Sequence, residues 1–322
     1  MRRRTLLGGL AGGGLLAAAA GRRASAATPR RPLAMPPPLA AGSRVVAVAP
    51  GTWWEEPERE AGDLRARFTA AGWTLQIPEE TMGRWRWFSA SDRERLRQWQ
   101  QASADPSVAA VAAVAGGWGS ARLLEIGWQP ARRPLWLVGF SDVSALLLAQ
   151  FAAGLGGAVH GGLGGDPAAW NRLVALLRGQ PVAPLMGAGW RPGVASGPLV
   201  VTNLTVATHL IGTRWFPDLR GCVLVLEDVG EAPYRVDRML THWRTSGVLR
   251  GVAGIGLGHF RWKEDDVLPG DLTLEEVLME RLSGLGVPVV GRLPVGHGRP
   301  NLALPLGRLA RLDGDRGRLE LL

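Results

Sequence analysis

Ser107-Val108-Ala109-Ala110-Val111-Ala112-Ala113-Val114-Ala115-Gly116-Gly117-Trp118-Gly119-Ser120-Ala121-Arg122-Leu123-Leu124 is the stretch from which the rest of the chain can be read. Its first half is a short apolar run of valine and alanine. That is the length of a buried strand and well short of the about 20 residues a membrane span needs. Gly116, Gly117 and Gly119 then break the run, and Ala121 to Leu124 are good helix formers. Strand, glycine turn and helix in that order make the repeating unit of a parallel α/β sheet.

The same unit recurs on either side. Arg44-Val45-Val46-Ala47-Val48-Ala49-Pro50-Gly51 is an apolar run closed by Pro-Gly, and residues 55–71 carry charges and alanines at helical spacing. A helix is predicted over 91–104, with Ser91 as cap and an acidic first turn. Pro134 to Val138 reads as a further strand and Asp142 to Ala153 as a further helix. These elements define an N-terminal parallel-sheet α/β domain over 44–165. Residues 166–196 contain Pro167, Pro181, Pro184 and Pro192 and read as an irregular connection. A smaller C-terminal α/β domain is expected over 197–322. Its strands are predicted at Gly221–Glu227, Gly251–Gly258 and Pro288–Arg292, with a helix through Asp237-Arg238-Met239-Leu240.

The formal charge of the 322-residue chain is +9, but Arg2, Arg3, Arg4, Arg22 and Arg23 sit in an N-terminal segment without acids. Without them the balance is about +4, and the other arginines are scattered rather than gathered into a basic stripe, so no nucleic-acid partner is expected. Residues 1–26 combine adjacent arginines, an uncharged Leu/Ala/Gly run and Ala24-Ser25-Ala26. That pattern is a twin-arginine-type signal peptide with a small-residue cleavage site. It implies export to the periplasm or cell envelope with no stable membrane span after cleavage. Residues 27–43, with Pro36-Pro37-Pro38, read as a Pro-rich tether. The single cysteine, Cys222, lies in an apolar strand and excludes an internal disulfide or a Cys-based zinc site.

Three segments carry chemistry. At Ser120 the glycine turn opens a helix whose free amides, with those of Gly117 and Ala121, can hold an oxyanion behind a nucleophilic serine. Capping the helix is the competing job for this serine. Leu226-Glu227-Asp228-Val229-Gly230-Glu231 ends a strand in acids, and Glu227, Asp228 and Glu231 compete to orient a histidine. In Gly296-His297-Gly298 an imidazole sits on a loop between glycines and suits a general base, with His160 as its rival. The five histidines are spread without metal-ligand spacing, so neither a metal nor a cofactor is expected.

In this order these segments resemble the LD-carboxypeptidase family of serine peptidases, which also contains microcin-immunity peptidases. The resemblance includes Gly139-Phe140-Ser141-Asp142-Val143-Ser144, His160-Gly161, Asn203-Leu204 and Tyr234-Arg235-Val236-Asp237-Arg238-Met239-Leu240. It implies a triad of Ser120, Glu227 and His297, settles the acid on Glu227, and implies a two-domain architecture with the site in the interdomain cleft and a homodimer. It places Trp118, Ser141, Asp142 and Asn203 on the substrate side. The implied reaction is loss of the terminal D-Ala from murein tetrapeptides, the stem peptides of peptidoglycan, through an acyl-enzyme. An amidase acting on peptidyl conjugates and a non-catalytic wall-binding protein using some of the fourteen tryptophans are the alternatives. A terminal carboxylate needs a cation, for which Arg122, Arg235 and Arg299 are candidates. Ala115, Trp118 and Thr202 depart from the family's usual arginine, tyrosine and glycine, which bears on substrate preference.

Overall fold

The computed structural model describes residues 32–262 and 270–322, so the predicted signal peptide and the first part of the tether lie outside the described residues. Five strands form the parallel body of the first sheet: β1 (Arg44–Val48), β2 (Thr74–Gln76), β3 (Val108–Ala113), β4 (Trp136–Gly139) and β5 (Ala158–His160). Their spatial order is β5-β4-β3-β1-β2. Helices α1 (Pro57–Ala70), α2 (Asp92–Ala104), α3 (Ser120–Glu125) and α4 (Ser144–Ala152) make the connections, and α5 (Pro167–Leu177) follows β5. Alternation along the strands sorts the core onto both faces. Val46, Val48 and Val111 face α2, α3 and α4. Val45, Ala47, Ala110 and Ala112 face Leu64 and Phe68 of α1 and Leu173 and Leu176 of α5. A parallel sheet covered on both faces needs such nearly continuous apolar strands. The predicted cap of α2 is present as a capping box between Ser91 and Glu94.

The second sheet is built around parallel strands β8 (Val194–Asn203), β9 (Val223–Val229), β10 (Gly254–Arg261) and β11 (Val289–Gly291). Antiparallel β7 (Ala188–Arg191) lies beside β11, while β13 (Leu309–Asp313), β14 (Arg318–Leu321) and β6 (Leu185–Met186) extend the other side. Helices α6 (Leu204–Thr208), α7 (Pro233–Ser246) and α8 (Leu274–Ser283) complete this half. The short β12 (Leu304–Pro305) returns to the first sheet and pairs antiparallel with β5.

Three expectations change in detail. Among the described residues the second unit is not the smaller one by sheet size, with eight strands against six. Residues 166–196 are not irregular: Asp166 caps α5, with Pro167 in its first turn, and β6 and β7 become edge strands. The described end of the tether is docked rather than free. Leu33 N donates to Gly307 O at 2.9 Å, Leu39 N donates to Leu177 O at 2.8 Å, and Leu39 is buried.

Candidate active site

The strand order 2-1-3-4-5 reverses direction between β1 and β3, and open α/β sheets form sites in the crevice at the carboxyl ends of such strands. The loops leaving β1, β3 and β4 meet there: Thr52 N donates to Gly116 O at 2.9 Å, and Gly116 runs against Ser141. A Cβ added at Gly116 would stand 2.9 Å from Ser141 Cβ and 3.2 Å from its Oγ, so only glycine lets the loop pass.

Ser141 sits where β4 turns into a helix. Phe140 is extended, Ser141 has φ of 61°, and the chain enters a short 3-10 turn at Ser141–Val143 that runs on into α4. A non-glycine residue in the left-handed region costs about 1 kcal/mol or more and persists only where the surroundings enforce it. This is the geometry of a serine exposed on a strand-to-helix elbow.

His297 Nε2 lies 3.0 Å from Ser141 Oγ, and its Nδ1 lies 2.6 Å from Glu227 Oε2. Glu227 is fully buried near the end of β9. The loop carrying His297 crosses directly over it: a Cβ on Gly296, which has φ of 95°, would land on the Glu227 carboxylate. His297 N also donates to Glu227 Oε2 at 3.1 Å, and Gly296 N donates to Asn301 Oδ1 at 2.8 Å. Burial would raise the Glu227 pKa, but His160 and His297 beside it outweigh that and hold it down at about 2.

Ser120 makes no hydrogen bond to His297. It opens α3 behind Gly119, which occupies the cap position, and its Oγ is buried without a well-aligned hydrogen-bond partner. Its amide donates to Asp142 Oδ2 at 2.8 Å. Two serine-bearing turns lie side by side, and the one that reaches the imidazole follows β4. The hydroxyl hydrogen-bonded to the imidazole is that of Ser141, which the sequence reading placed on the substrate side, on the turn beside the expected nucleophile Ser120. Asp142 is buried and anchors the glycine turn; burial raises its pKa, against the Ser120 hydroxyl and amide, the Gly119 amide and Arg95. Arg95 is itself buried on α2 and donates to Pro50 O and Gly119 O, so it braces the same turn from beneath.

Asn203 is also committed to the framework. Its Oδ1 accepts from Val206 N at 2.9 Å and its Nδ2 donates to Asp228 Oδ1 at 3.0 Å. Asp228 takes further donors from Thr205 and Val229, yet burial still pushes it up to about 6. Glu231 pairs with Arg235 at 3.8 Å. Gly117, with φ of 77°, lies against Thr52, while Ala121 is inside the first turn of α3 with its side chain on the core. Trp118, Trp85 and Trp87 are exposed, whereas Trp54 is buried. Arg122 is held by Asp92, through contacts of 3.1 and 3.0 Å from its Nε. Arg299 is exposed two residues beyond His297. Among the described residues, no group of three or more His, Cys, Asp or Glu side chains converges as a metal site, and no helix is long and apolar enough to cross a membrane.

With this geometry the chain matches two family models, the LD-carboxypeptidase N-terminal domain over residues 44–161 and the LD-carboxypeptidase C-terminal domain over residues 196–312. The chain belongs to the LD-carboxypeptidase family. It is a serine-type carboxypeptidase, a hydrolase. A provisionally named carboxypeptidase of Synechocystis sp. is 42% identical, covering 88% of this chain and 96% of its own. The murein tetrapeptide carboxypeptidase of Pseudomonas aeruginosa is 33% identical, covering 85% and 94%. Among solved structures, the muramoyltetrapeptide carboxypeptidase of Oxalobacter formigenes superposes with a TM-score of 0.75 at 29% identity, covering 86% of this chain and 97% of that one. The microcin C7 self-immunity protein MccF reaches 0.78 at 21% identity, covering 89% and 98%, a likeness of fold.

In this LD-carboxypeptidase the serine that meets the imidazole carries a partial signal in the sequence. Gly139-Phe140-Ser141 is the first half of the hydrolase elbow Gly-x-Ser-x-Gly, with Val143 in place of the second glycine.

Proposed function

We propose that this carboxypeptidase hydrolyses the L,D-amide that holds the terminal D-Ala of murein tetrapeptides, with Ser141 as nucleophile, His297 as base and Glu227 as orienting carboxylate. The observation that carries the assignment is the hydrogen-bonded line from Glu227 Oε2 through both nitrogens of His297 to Ser141 Oγ. His297 takes the Ser141 proton as Oγ attacks the amide carbonyl, and returns it to the leaving amine of D-Ala. Water, deprotonated by the same imidazole, then clears the acyl-enzyme. The amide of Asp142, which follows the nucleophile, and those of the adjoining Gly116-Gly117 segment are the oxyanion donors in this reading. Arg299 is the cation offered to the substrate's terminal carboxylate. The substrate class is supported by the relatives named for murein peptides.

The test is mass spectrometry of D-Ala released from a defined tetrapeptide. Ser141→Ala should lose about a thousandfold or more in kcat, the scale on which triad members act. Ser120→Ala should stay within a few-fold of the parent. The reverse pattern would return the nucleophile to Ser120. The reading includes export, tested by replacing Arg2, Arg3 and Arg4 with lysine and following the chain by fractionation. It also includes a homodimer, tested by sedimentation of the mature chain.

A further inference from the structure

His160 closes β5 at the carboxyl edge of the first sheet and is fully buried. Its backbone is fixed on both sides: the residue pairs with Leu304 of β12 and with Gly139 of β4, and Gly161 N donates to Gly139 O at 3.0 Å. The ring therefore projects from a rigid frame. Its Nε2 stands 3.7 Å from Glu227 Oε1, the carboxylate oxygen that His297 does not use. Neither ring nitrogen of His160 nor Glu227 Oε1 closes a hydrogen bond to any other group. Phe140 covers both imidazoles, edge-on to His160 at 6.0 Å and tilted to His297 at 5.1 Å. A buried imidazole and a buried carboxylate oxygen left side by side without partners are costly unless they serve each other. Bonds of this kind often stand long in a ligand-free site and tighten when substrate is bound.

We propose that His160 is a positioning residue, donating its Nε2–H to Glu227 Oε1 so that the carboxylate is clamped between two imidazoles. The inference rests on the His297–Glu227 pair of the proposed triad. The clamp aims Oε2 at His297 and keeps Glu227 charged at the moment His297 becomes an imidazolium. His160 does not touch the reacting atoms and acts through Glu227.

The experiment measures kcat and KM for D-Ala release in His160→Leu, His160→Gln, His160→Asn, Glu227→Gln and the Leu/Gln double variant, with melting temperatures alongside. His160→Leu should lower kcat by about 10- to 100-fold, the worth of a hydrogen bond to a charged group, at nearly unchanged KM. His160→Gln, which keeps an N–H donor at similar reach, should recover most of that loss, and the shorter His160→Asn should not. In the Glu227→Gln background the Leu substitution should cost no more than about two- to threefold, because its route of action is already gone. Wild-type kcat in His160→Leu, or an equal loss in both backgrounds, overturns the inference. Should His160→Leu fail to fold, the Gln and Asn variants decide the matter in the same two backgrounds. Undiminished release in Glu227→Gln would instead sink the proposed His297–Glu227 pair itself, so the two failures are distinguishable.

Discussion

Glu227 is a fully buried carboxylate that remains charged because two imidazoles and the His297 amide surround it. Its pKa falls from 4.5 to about 2 in the folded chain. As pH drops, the unfolded chain therefore takes up this proton first. The stability that charged Glu227 supplies is whole above the unfolded value and is lost as pH falls through the folded one. The gap in unfolding free energy between the parent and Glu227→Gln should be constant above about pH 5 and narrow towards about pH 2. Urea titrations across that range measure it, and a gap that does not narrow contradicts the assignment. Residue type and place narrowed two of these positions without deciding them: Glu227 competed with Asp228 and Glu231 until the family resemblance settled it, and His297, between glycines, had His160 as its rival. The serine facing His297 is less legible still, since Gly139-Phe140-Ser141 offers only half of an elbow motif. Ser120 follows three glycines, while what distinguishes Ser141 is a positive φ that only packing against Gly116 and the 3-10 turn enforces. Composition carries no trace of that.

At the scale of elements, the loop from β3 and the elbow after β4 act as one device. Gly116 presses on Ser141, Asp142 reaches back to Ser120 N, and Arg95 holds Gly119 O at 3.1 Å from below. The glycine-rich stretch that carries Ser120 thus packs directly against the elbow that carries Ser141. Gly116→Ala would drive a methyl into the Ser141 side chain. A displacement of about 1 Å at reacting groups can cost about 100-fold. The expected outcome is a fall in kcat of that order, with the melting temperature shifted by no more than a few degrees. Kinetics and thermal melts on the same preparation check it, and an unchanged kcat would show that the two loops are not in register as described. Of the parallel strands, β2, β5 and β8 are absent from the sequence reading, while β1, β3, β4, β9, β10 and β11 were legible because burial on both faces demands nearly continuous apolar residues. The edges were not: β6 and β7 are two and four residues long and lie among prolines and glycines that also suit a connection.

Across the whole molecule, the site exists because two sheets contribute to it. The first supplies the switch-point crevice and Ser141, and the second supplies Glu227 and the loop of His297. The residues just beyond that loop cross back to pair with β5, and Arg172 of α5 fastens the crossing. Its Nε donates to Ala303 O at 2.9 Å and its Nη1 to Ala183 O at 2.6 Å. Burial alone pushes this guanidinium down to about 10, so no carboxylate stabilises it and its hydrogen bonds to carbonyls are its compensation. Removing it by Arg172→Ala strips two carbonyls of their donor and leaves a void, for an expected loss of about 2–4 kcal/mol. Arg172→Met keeps most of the stem volume and should lose less, which separates packing from hydrogen bonding. Asn301, two residues before Ala303, holds Gly296 N, so the loosened crossing should also reach the His297 loop. Urea unfolding of both variants, with D-Ala release measured in parallel, would show stability falling in both and kcat falling further in the alanine variant. A loss below about 0.5 kcal/mol in Arg172→Ala, the range of an ordinary surface substitution, would mean that the crossing segment is held by the β12–β5 pairing alone.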